Sequence, residues 1–238
     1  MKKTIVFAAL GIFSASILFA ADDPKADVKA AAKKLGDKNN YSWTSTTKME
    51  GPGGGSGGRG FGGGPTDGQF ADGIIYLKST AGDRTMHTAA KGEKVIFKGE
   101  DEWEVAEDGA QGPGAFAARR MRAYKAPAAE AADLADKAKS LKSAEGAVSG
   151  DLTEAGAKTF LTFGGRRQNA DAPGPKDAKG SVKFWVKDGE LTKYEYNVQG
   201  KITGREDNEI TINRTTTVEI KDAGKTKLTL PEEAKKKF

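Results

Sequence analysis

GSVKFWVKDGELTKYEYNVQGKITG occupies residues 180–204, and EITINRTTTVEIKDAGKTKLTLPEEAKKKF follows at residues 209–238. In the first stretch, apolar and polar side chains alternate from Val182 onward, and this period of two is typical of a β-strand with one packed face. Asp188 and Gly189 then supply a dipeptide that favours the positive φ angles of a tight hairpin turn. These residues predict an antiparallel hairpin, which the rest of the chain extends.

The alternation continues on the return strand, where Tyr194 and Tyr196 share one face. A third strand is predicted at 210–220 and a fourth at 226–230, ended by Pro231 because proline has no N–H for a ladder hydrogen bond. Upstream, the same pattern predicts strands at 41–49, 70–79, 84–90, 94–98, 102–106 and 147–149. Turns at such short intervals favour a sequential antiparallel sheet, because parallel crossovers need about a dozen residues each.

Apolar residues at helical spacing predict helices at 24–35, 113–124, 127–141 and 152–163. In the second of these, Phe116, Met121 and Tyr124 are predicted to lie on the packed stripe, with Arg119 and Arg122 outside it. Strands on both sides of a helical segment predict an α+β fold in which the helices form an insert within a meander.

The N-terminus has the three parts of a secretory signal peptide at residues 1–21: a basic start, an apolar run, and small residues before a polar segment. The run is shorter than the ~20 apolar residues that a membrane span needs, and the chain has no cysteine for a lipid anchor. We therefore expect an exported protein, periplasmic or secreted, with no stable membrane anchor. The mature chain, 22–238, is predicted to be a single domain and a monomer.

Charge and residue types exclude several classes of function. The formal net charge of +5 falls to +3 when Lys2 and Lys3 leave with the signal peptide, so no nucleic-acid partner is expected. The absence of cysteine excludes thiol nucleophiles and cysteine zinc sites. His87 is the single histidine and has no acidic neighbour in sequence. We therefore expect no enzyme activity, no metal and no cofactor.

Two glycine-rich loops are predicted, at 51–65 and 164–180. The first lacks the GK[ST] ending of a phosphate-binding loop. Its Arg59 and Phe61 are faintly similar to an RGG segment that binds single-stranded nucleic acid. The composition favours a third alternative, a mobile surface loop between two strands.

Arg214 is the charged residue whose position is least expected. It follows Ile210 and Ile212 at a spacing of two and so falls on the apolar face of its predicted strand, where an unpaired charge is costly. Three alternatives follow: a carboxylate such as Glu195 pairs with Arg214, a ligand head group binds it, or a β-bulge turns it outward.

The layout resembles the periplasmic lipoprotein-carrier and lipoprotein-sorting (LolA/LppX-like) superfamily. The hairpin VKDGELTKYEY at 186–196 and the ending LTLPEEAKKKF at 228–238 carry most of the resemblance. It implies a strongly curved antiparallel half-barrel whose concave apolar face is covered by helices and holds acyl chains. The segments 113–124 and 127–141 would then form the lid. The chain is also similar to uncharacterised exported bacterial proteins of this layout, from which no activity follows.

The predicted fold is thus α+β: a curved antiparallel sheet, a half-barrel-like meander, with a helical insert covering one face. The predicted function is that of an exported, non-enzymatic binding protein that buries an apolar, lipid-type or lipoprotein-type ligand between the sheet and the helices. The predicted ligand-binding residues are Trp185, Tyr194, Tyr196 and Arg214. The alternative is an envelope interaction protein that binds anionic cell-wall or surface polymers through the glycine-rich loops and the basic helix around 119–125.

Overall fold

A computed structural model of the chain describes residues 23–50, 64–107, 112–162, 174–203 and 208–238. The predicted signal peptide lies outside the described residues, as does most of each predicted glycine-rich loop. The strands are β1 (Asn40–Met49), β2 (Thr66–Ala71), β3 (Ile74–Ala81), β4 (Arg84–Lys91), β5 (Lys94–Lys98), β6 (Trp103–Val105), β7 (Lys142–Ala144), β8 (Ala147–Asp151), β9 (Lys176–Lys187), β10 (Glu190–Thr203) and β11 (Glu209–Lys221). The helices are α1 (Pro24–Gly36), α2 (Pro113–Ala123), α3 (Pro127–Lys137), α4 (Glu154–Leu161) and α5 (Glu232–Lys235).

The described strands form one antiparallel sheet in the spatial order β6-β5-β4-β3-β2-β1-β11-β10-β9-β8-β7. Within the described part of the chain, the sheet curves but does not close into a barrel. Most sequence neighbours pair directly, whereas β1 joins the two halves of the sheet by pairing with β11. The prediction of an α+β fold with a curved antiparallel sheet is confirmed.

One side of the sheet, here called the helix-covered face, carries the main core. The alternation predicted for the strands places Trp43, Phe184 and Tyr194 on this side, each at most 1% exposed. Helices α1 and α4 contact β9 and β10, α2 contacts β4 and β5, and α3 packs on α1 and α4. The helices therefore bury the apolar side chains that one pleated face presents.

The opposite side, here called the open face, carries a smaller core at one end. Ile74, Tyr76 and Trp103 are buried there together with Leu230 from the C-terminal segment. The predicted fourth strand at 226–230 is therefore wrong, because β11, the strand before it, already has β1 and β10 as neighbours and the segment crosses the open face instead. Strand β3 is covered on both sides, because Leu77 lies in the main core whereas Ile74 and Tyr76 lie in the smaller one.

Three predicted boundaries also differ from the structure. The predicted strand at 70–79 is two strands, because Asp72 and Gly73 adopt φ angles of 54° and 73° and make a tight turn. The predicted loop to residue 180 ends earlier, since β9 begins at Lys176 and pairs with the long strand β10. Helix α3 ends at Lys137, after which Ala138 bridges to Leu152.

Candidate functional site

A group of polar side chains lies beneath α3 on the helix-covered face. The Tyr194 hydroxyl donates a hydrogen bond of 2.6 Å to one carboxylate oxygen of Glu130, and the Tyr196 hydroxyl donates one of 3.3 Å to the other. Tyr194 and Tyr196 are buried because they share the period-two face of β10. Glu130 reaches them from the first turn of α3. The sheet and the helix are thus joined by polar as well as apolar contacts.

Burial dominates the electrostatics of this group. Loss of solvent raises the pKa of the Glu130 carboxyl, and the hydrogen bonds from Tyr194 and Tyr196 oppose that change. Burial likewise raises the pKa of Tyr194 well above its ordinary value, and the neighbouring Glu130 adds to the increase. A carboxyl with a raised pKa beside two tyrosines holds its proton more readily than a surface glutamate does.

Arg214 lies on the helix-covered face, as its spacing predicts. Its pairing with Val198 on β10 and with Met49 on β1 continues both registers without a bulge. Its guanidinium Nη2 donates to the carbonyl oxygen of Phe160 in α4. The positive charge of Arg214 also lowers the pKa of Glu130. The carboxylate near Arg214 is therefore that of Glu130 in α3.

The bulge alternative for Arg214 is therefore wrong, and the carboxylate near Arg214 is Glu130 rather than Glu195. A bulge does not turn the side chain outward, and Glu195 lies on the open face, where it accepts a hydrogen bond of 2.8 Å from Thr217. Binding of a ligand head group by Arg214 stays a prediction. No described residue accepts a hydrogen bond from its buried Nε.

Trp185 is separated from the other three predicted ligand-binding residues. It pairs with Lys193 and projects from the open face, whereas Tyr194, Tyr196 and Arg214 lie under the helices. The ammonium groups of Lys183 and Lys193 lie 5.0 and 4.8 Å from the centroid of its ring. A ligand beneath the helices would therefore contact the other three without Trp185.

An apolar groove lies between α1 and the β7–β8 hairpin, on the helix-covered side. Its volume is about 720 Å³. Ala30 and Ala31 of α1 form one wall, Val148 of β8 the other, and Val186 of β9 the floor. Asp27 and Lys34 lie at its rim, as do Ser143 and Glu145. This lining suits an apolar ligand with a polar end.

This groove is not predicted by the sequence. The apolar stripe of α1 and the strand that contains Val148 were each predicted separately. Only the contacts of α1 with β9 and β10 bring them to opposite walls. The spacing of residues along the sequence does not indicate that α1 and Val148 lie on opposite sides of one groove.

A smaller recess of about 290 Å³ adjoins the groove at the C-terminal end of α1. Lys34 lines both spaces, and Lys38, Lys221 and Lys225 line the recess. Glu190 forms ion pairs of 3.4 and 3.3 Å with Lys34 and Lys38. We call this space the lysine recess.

Helix α2 corrects one predicted packing stripe. Phe116 is 50% exposed, whereas Ala117, Ala118 and Met121 are buried. The buried stripe of α2 therefore runs through Ala117, Ala118 and Met121, and Phe116 lies outside it. Arg119 is exposed, as predicted for the basic helix.

The described residues contain neither a cluster of potential metal ligands nor a membrane-spanning helix. No group of three or more histidine, cysteine, aspartate or glutamate side chains in that part of the chain could hold a metal ion. None of the described helices has the length and apolar character needed to cross a membrane.

Comparisons with known proteins give similarities of fold at low sequence identity. No protein-family model matches the chain, and no curated protein matches it. The crystal structure of lipoprotein LppX from Mycobacterium tuberculosis is 8% identical, with a TM-score of 0.45 over 87% of this chain and 98% of that one. LprF from Mycobacterium bovis is 10% identical, with a TM-score of 0.46 over 89% and 97%. A DUF1329 family protein from Desulfovibrio piger is 10% identical, with a TM-score of 0.26 over 89% and 96%.

Proposed function

We propose that this chain is an exported, non-enzymatic binding protein that carries an apolar, lipid-type ligand. The apolar groove between α1 and the β7–β8 hairpin supports this proposal. Its volume of about 720 Å³ lies within the range of roughly 300–1,000 Å³ that is usual for small-molecule sites. Each Å² of apolar ligand surface removed from water there would contribute about 25 cal/mol.

The lysine recess supports a ligand with an anionic head group. An acyl chain that fills the groove would bring its polar end to Lys34, the residue that both spaces share. The Lys221 ammonium donates to Thr44 Oγ1 at 3.3 Å and Asp222 lines part of the recess, which leaves the ammonium groups of Lys34, Lys38 and Lys225 for an anion. A carboxylate or phosphate would be attracted to these ammonium groups, and Glu190 already shows that Lys34 and Lys38 bind a carboxylate.

Tyr194, Tyr196 and Arg214 remain proposed as inner contacts. They lie beneath α3, which packs against α1, so a longer chain would extend from the groove along the sheet toward them. Tyr196 packs on Phe160 with a ring-centroid distance of 5.2 Å. A chain that enters here must displace this contact, which is why the outer groove is the primary proposed site.

The test begins with native mass spectrometry of the mature protein, purified from an exporting host and then extracted with organic solvent. We expect one bound acyl lipid per chain. Replacing the exposed Ala30 with Trp would fill the groove and abolish binding. Ala155→Trp, at an exposed position on α4, is the matched control and should retain the lipid.

Added fatty acids or phospholipids supply the second measurement. At about 100 times the dissociation constant, a ligand stabilises the folded state by about 2.7 kcal/mol, which a thermal unfolding experiment detects. A protein without bound lipid, together with unchanged unfolding temperatures, would overturn the proposal. Equal binding by Ala30→Trp and Ala155→Trp would place any ligand outside the groove.

The alternative proposed function is binding of anionic envelope polymers through α2. The exposed Phe116 and Arg119 favour it, because an apolar and a cationic side chain lie one helical turn apart with no acidic residue in the helix. Polymer binding that falls steeply with salt and is lost in Arg119→Gln would support this alternative. The same preparation tests export, through the mature N-terminus, and the monomeric state, through its mass.

A further inference from the structure

The open face of β9, β10 and β11 carries a polar surface that the apolar groove does not use. From the strand ends near Asp177 to Trp185, its side chains are mainly amides, hydroxyls and lysines. We call this surface the amide face. It is separate from the proposed lipid site because it lies on the other side of the sheet.

Cross-strand hydrogen bonds hold the amides of this face in place. The Asn197 side-chain Nδ2 donates to Asn213 Oδ1 at 2.9 Å and to Thr215 Oγ1 at 3.0 Å. Gln199 Nε2 donates to Asn197 Oδ1 at 3.0 Å. Asn197 and Asn213 use their N–H groups within this network, whereas each amide oxygen has a second lone pair that can accept a hydrogen bond from a ligand hydroxyl. Fixed amides of this kind lose little side-chain entropy when a ligand binds.

Trp185 supplies an aromatic surface at the other end of the amide face. Trp43 and Trp103, the other two tryptophans of the chain, are 1% and 2% exposed, whereas Trp185 is only partly buried. Lys183 and Lys193 lie close to its ring. The position therefore combines an apolar ring face with two cations.

A cleft of about 340 Å³ forms the end of the amide face opposite Trp185. Glu50, Gln199 and Asn213 contribute to its lining, and Asn213 donates to Glu50 at 2.8 Å. Asp177 also lines the cleft and has a φ of 53°, where the register between β9 and β10 shifts. A β-bulge re-aims the side chains around it and is over-represented next to binding sites.

We propose that the amide face binds a linear glycan. Sugar rings present hydroxyl groups at their edges, which suit the paired amides, and C–H groups on their faces, which suit the Trp185 ring. The nine residues from Asp177 to Trp185, eight steps along the strand, span roughly 27 Å, enough for several sugar rings. Lys183 and Lys193 favour acidic over neutral sugars at the Trp185 end.

Tryptophan fluorescence tests the proposal on the full mature chain. The protein is titrated with a neutral β-linked glucose oligomer and with a galacturonate oligomer of equal length. We expect a saturable change in fluorescence with both and tighter binding of the galacturonate. Because Trp43 and Trp103 are buried, the change should disappear in Trp185→Phe, while calorimetry still detects binding to the retained aromatic ring.

Two further variants separate recognition from simple charge attraction. Trp185→Ala and Gln199→Ala should each weaken binding by about tenfold, whereas Gln69→Ala, an amide on the same face that accepts from Thr229, should not change it. Circular dichroism checks that each variant is folded. Galacturonate binding that is insensitive to Gln199→Ala and lost in salt would overturn the proposal, as would no binding of either oligomer.

The test of the glycan proposal does not depend on the lipid proposal. Ala30→Trp fills the groove on the helix-covered side and should bind glycans as the unmodified protein does. A chain that binds glycans but no lipid would refute only the proposed carrier function. Binding of lipid without either oligomer would refute only the glycan site.

Discussion

The hydroxyl of Tyr194 donates a 2.6 Å hydrogen bond to the carboxylate of Glu130, and this bond ties β10 to the first turn of α3. Tyr194 is fully buried, and burial raises the pKa of Glu130. An ionised Glu130 is therefore more costly in the folded chain than in the unfolded chain, although Arg214 and the tyrosines reduce that cost. The charge state of Glu130 links pH to the packing of α3 on the sheet.

Glu130→Gln should reduce the pH dependence of stability. A raised pKa means that the folded state binds the proton more tightly, so the free energy of unfolding falls as pH rises from 4.5 through the folded-state value. Each pH unit by which folding raises the pKa corresponds to about 1.4 kcal/mol. Glutamine keeps an acceptor for Tyr194 but carries no charge, so the variant should gain stability relative to the unmodified protein across this window.

Urea unfolding between pH 4 and pH 8 measures the effect, with Glu233→Gln at an exposed position of α5 as the control. The stability difference between Glu130→Gln and the unmodified chain should grow with pH and then level off. A difference that is constant over this range would show that Glu130 is as ionised in the folded as in the unfolded state.

Gly68→Ala should destabilise the fold through Trp43. A Cβ at position 68 would overlap the indole ring of Trp43, which is 1% exposed and lies directly across from it on β1. Overpacking of a rigid core ring costs up to about 3 kcal/mol. Thermal unfolding and the near-ultraviolet dichroism of Trp43 measure the change. Gly174→Ala, where the new methyl group meets no atom within 4 Å, should have little effect.

Much of the sheet could be predicted from local sequence. Alternation from Val182 onward and the turn at Asp188 and Gly189 are properties of a few adjacent residues, and the structure confirms both. The side on which Arg214 lies also follows from counting by two along an uninterrupted strand. The turn at Asp72 and Gly73 has the same local signal. The apolar run that follows it nevertheless led to the prediction of one continuous strand at 70–79.

The features that could not be predicted are those that depend on which helices and strands contact each other. The spacing of α3 gives no reason for Glu130 to face Tyr194, because the strand beneath a helix is set by the whole topology. Residues 226–230 alternate like a strand. They follow β11, however, and β11 already pairs with β1 on one side and with β10 on the other. The apolar groove likewise exists only because α1 lies opposite Val148.

Leu230→Ala should show that the C-terminal segment stabilises the open face. Leu230 is 2% exposed and packs in the smaller core with Tyr76 and Trp103. Loss of a buried leucine side chain typically costs about 2–5 kcal/mol. Leu228→Ala, at a half-buried position of the same segment, is the matched control and should cost less. Chemical unfolding followed by tryptophan fluorescence compares them, and equal losses would mean that the segment is not anchored through Leu230.

Arg214→Met should make the stability of the fold more sensitive to pH. The guanidinium lowers the pKa of Glu130, so its loss raises that pKa further and makes the ionised carboxylate more costly. Loss of the hydrogen bond to the Phe160 carbonyl adds a cost that does not vary with pH.

A double-mutant cycle between Arg214→Met and Glu130→Gln separates the two costs. In the unmodified background, the loss of stability caused by Arg214→Met should be smallest near pH 4, where Glu130 is protonated, and should increase as the pH rises. In the Glu130→Gln background, the same loss should be independent of pH, because no charge remains for Arg214 to stabilise. If the loss has the same pH dependence in both backgrounds, Arg214 acts on a titrating group other than Glu130. If the loss is independent of pH in both, Arg214 serves only the Phe160 carbonyl.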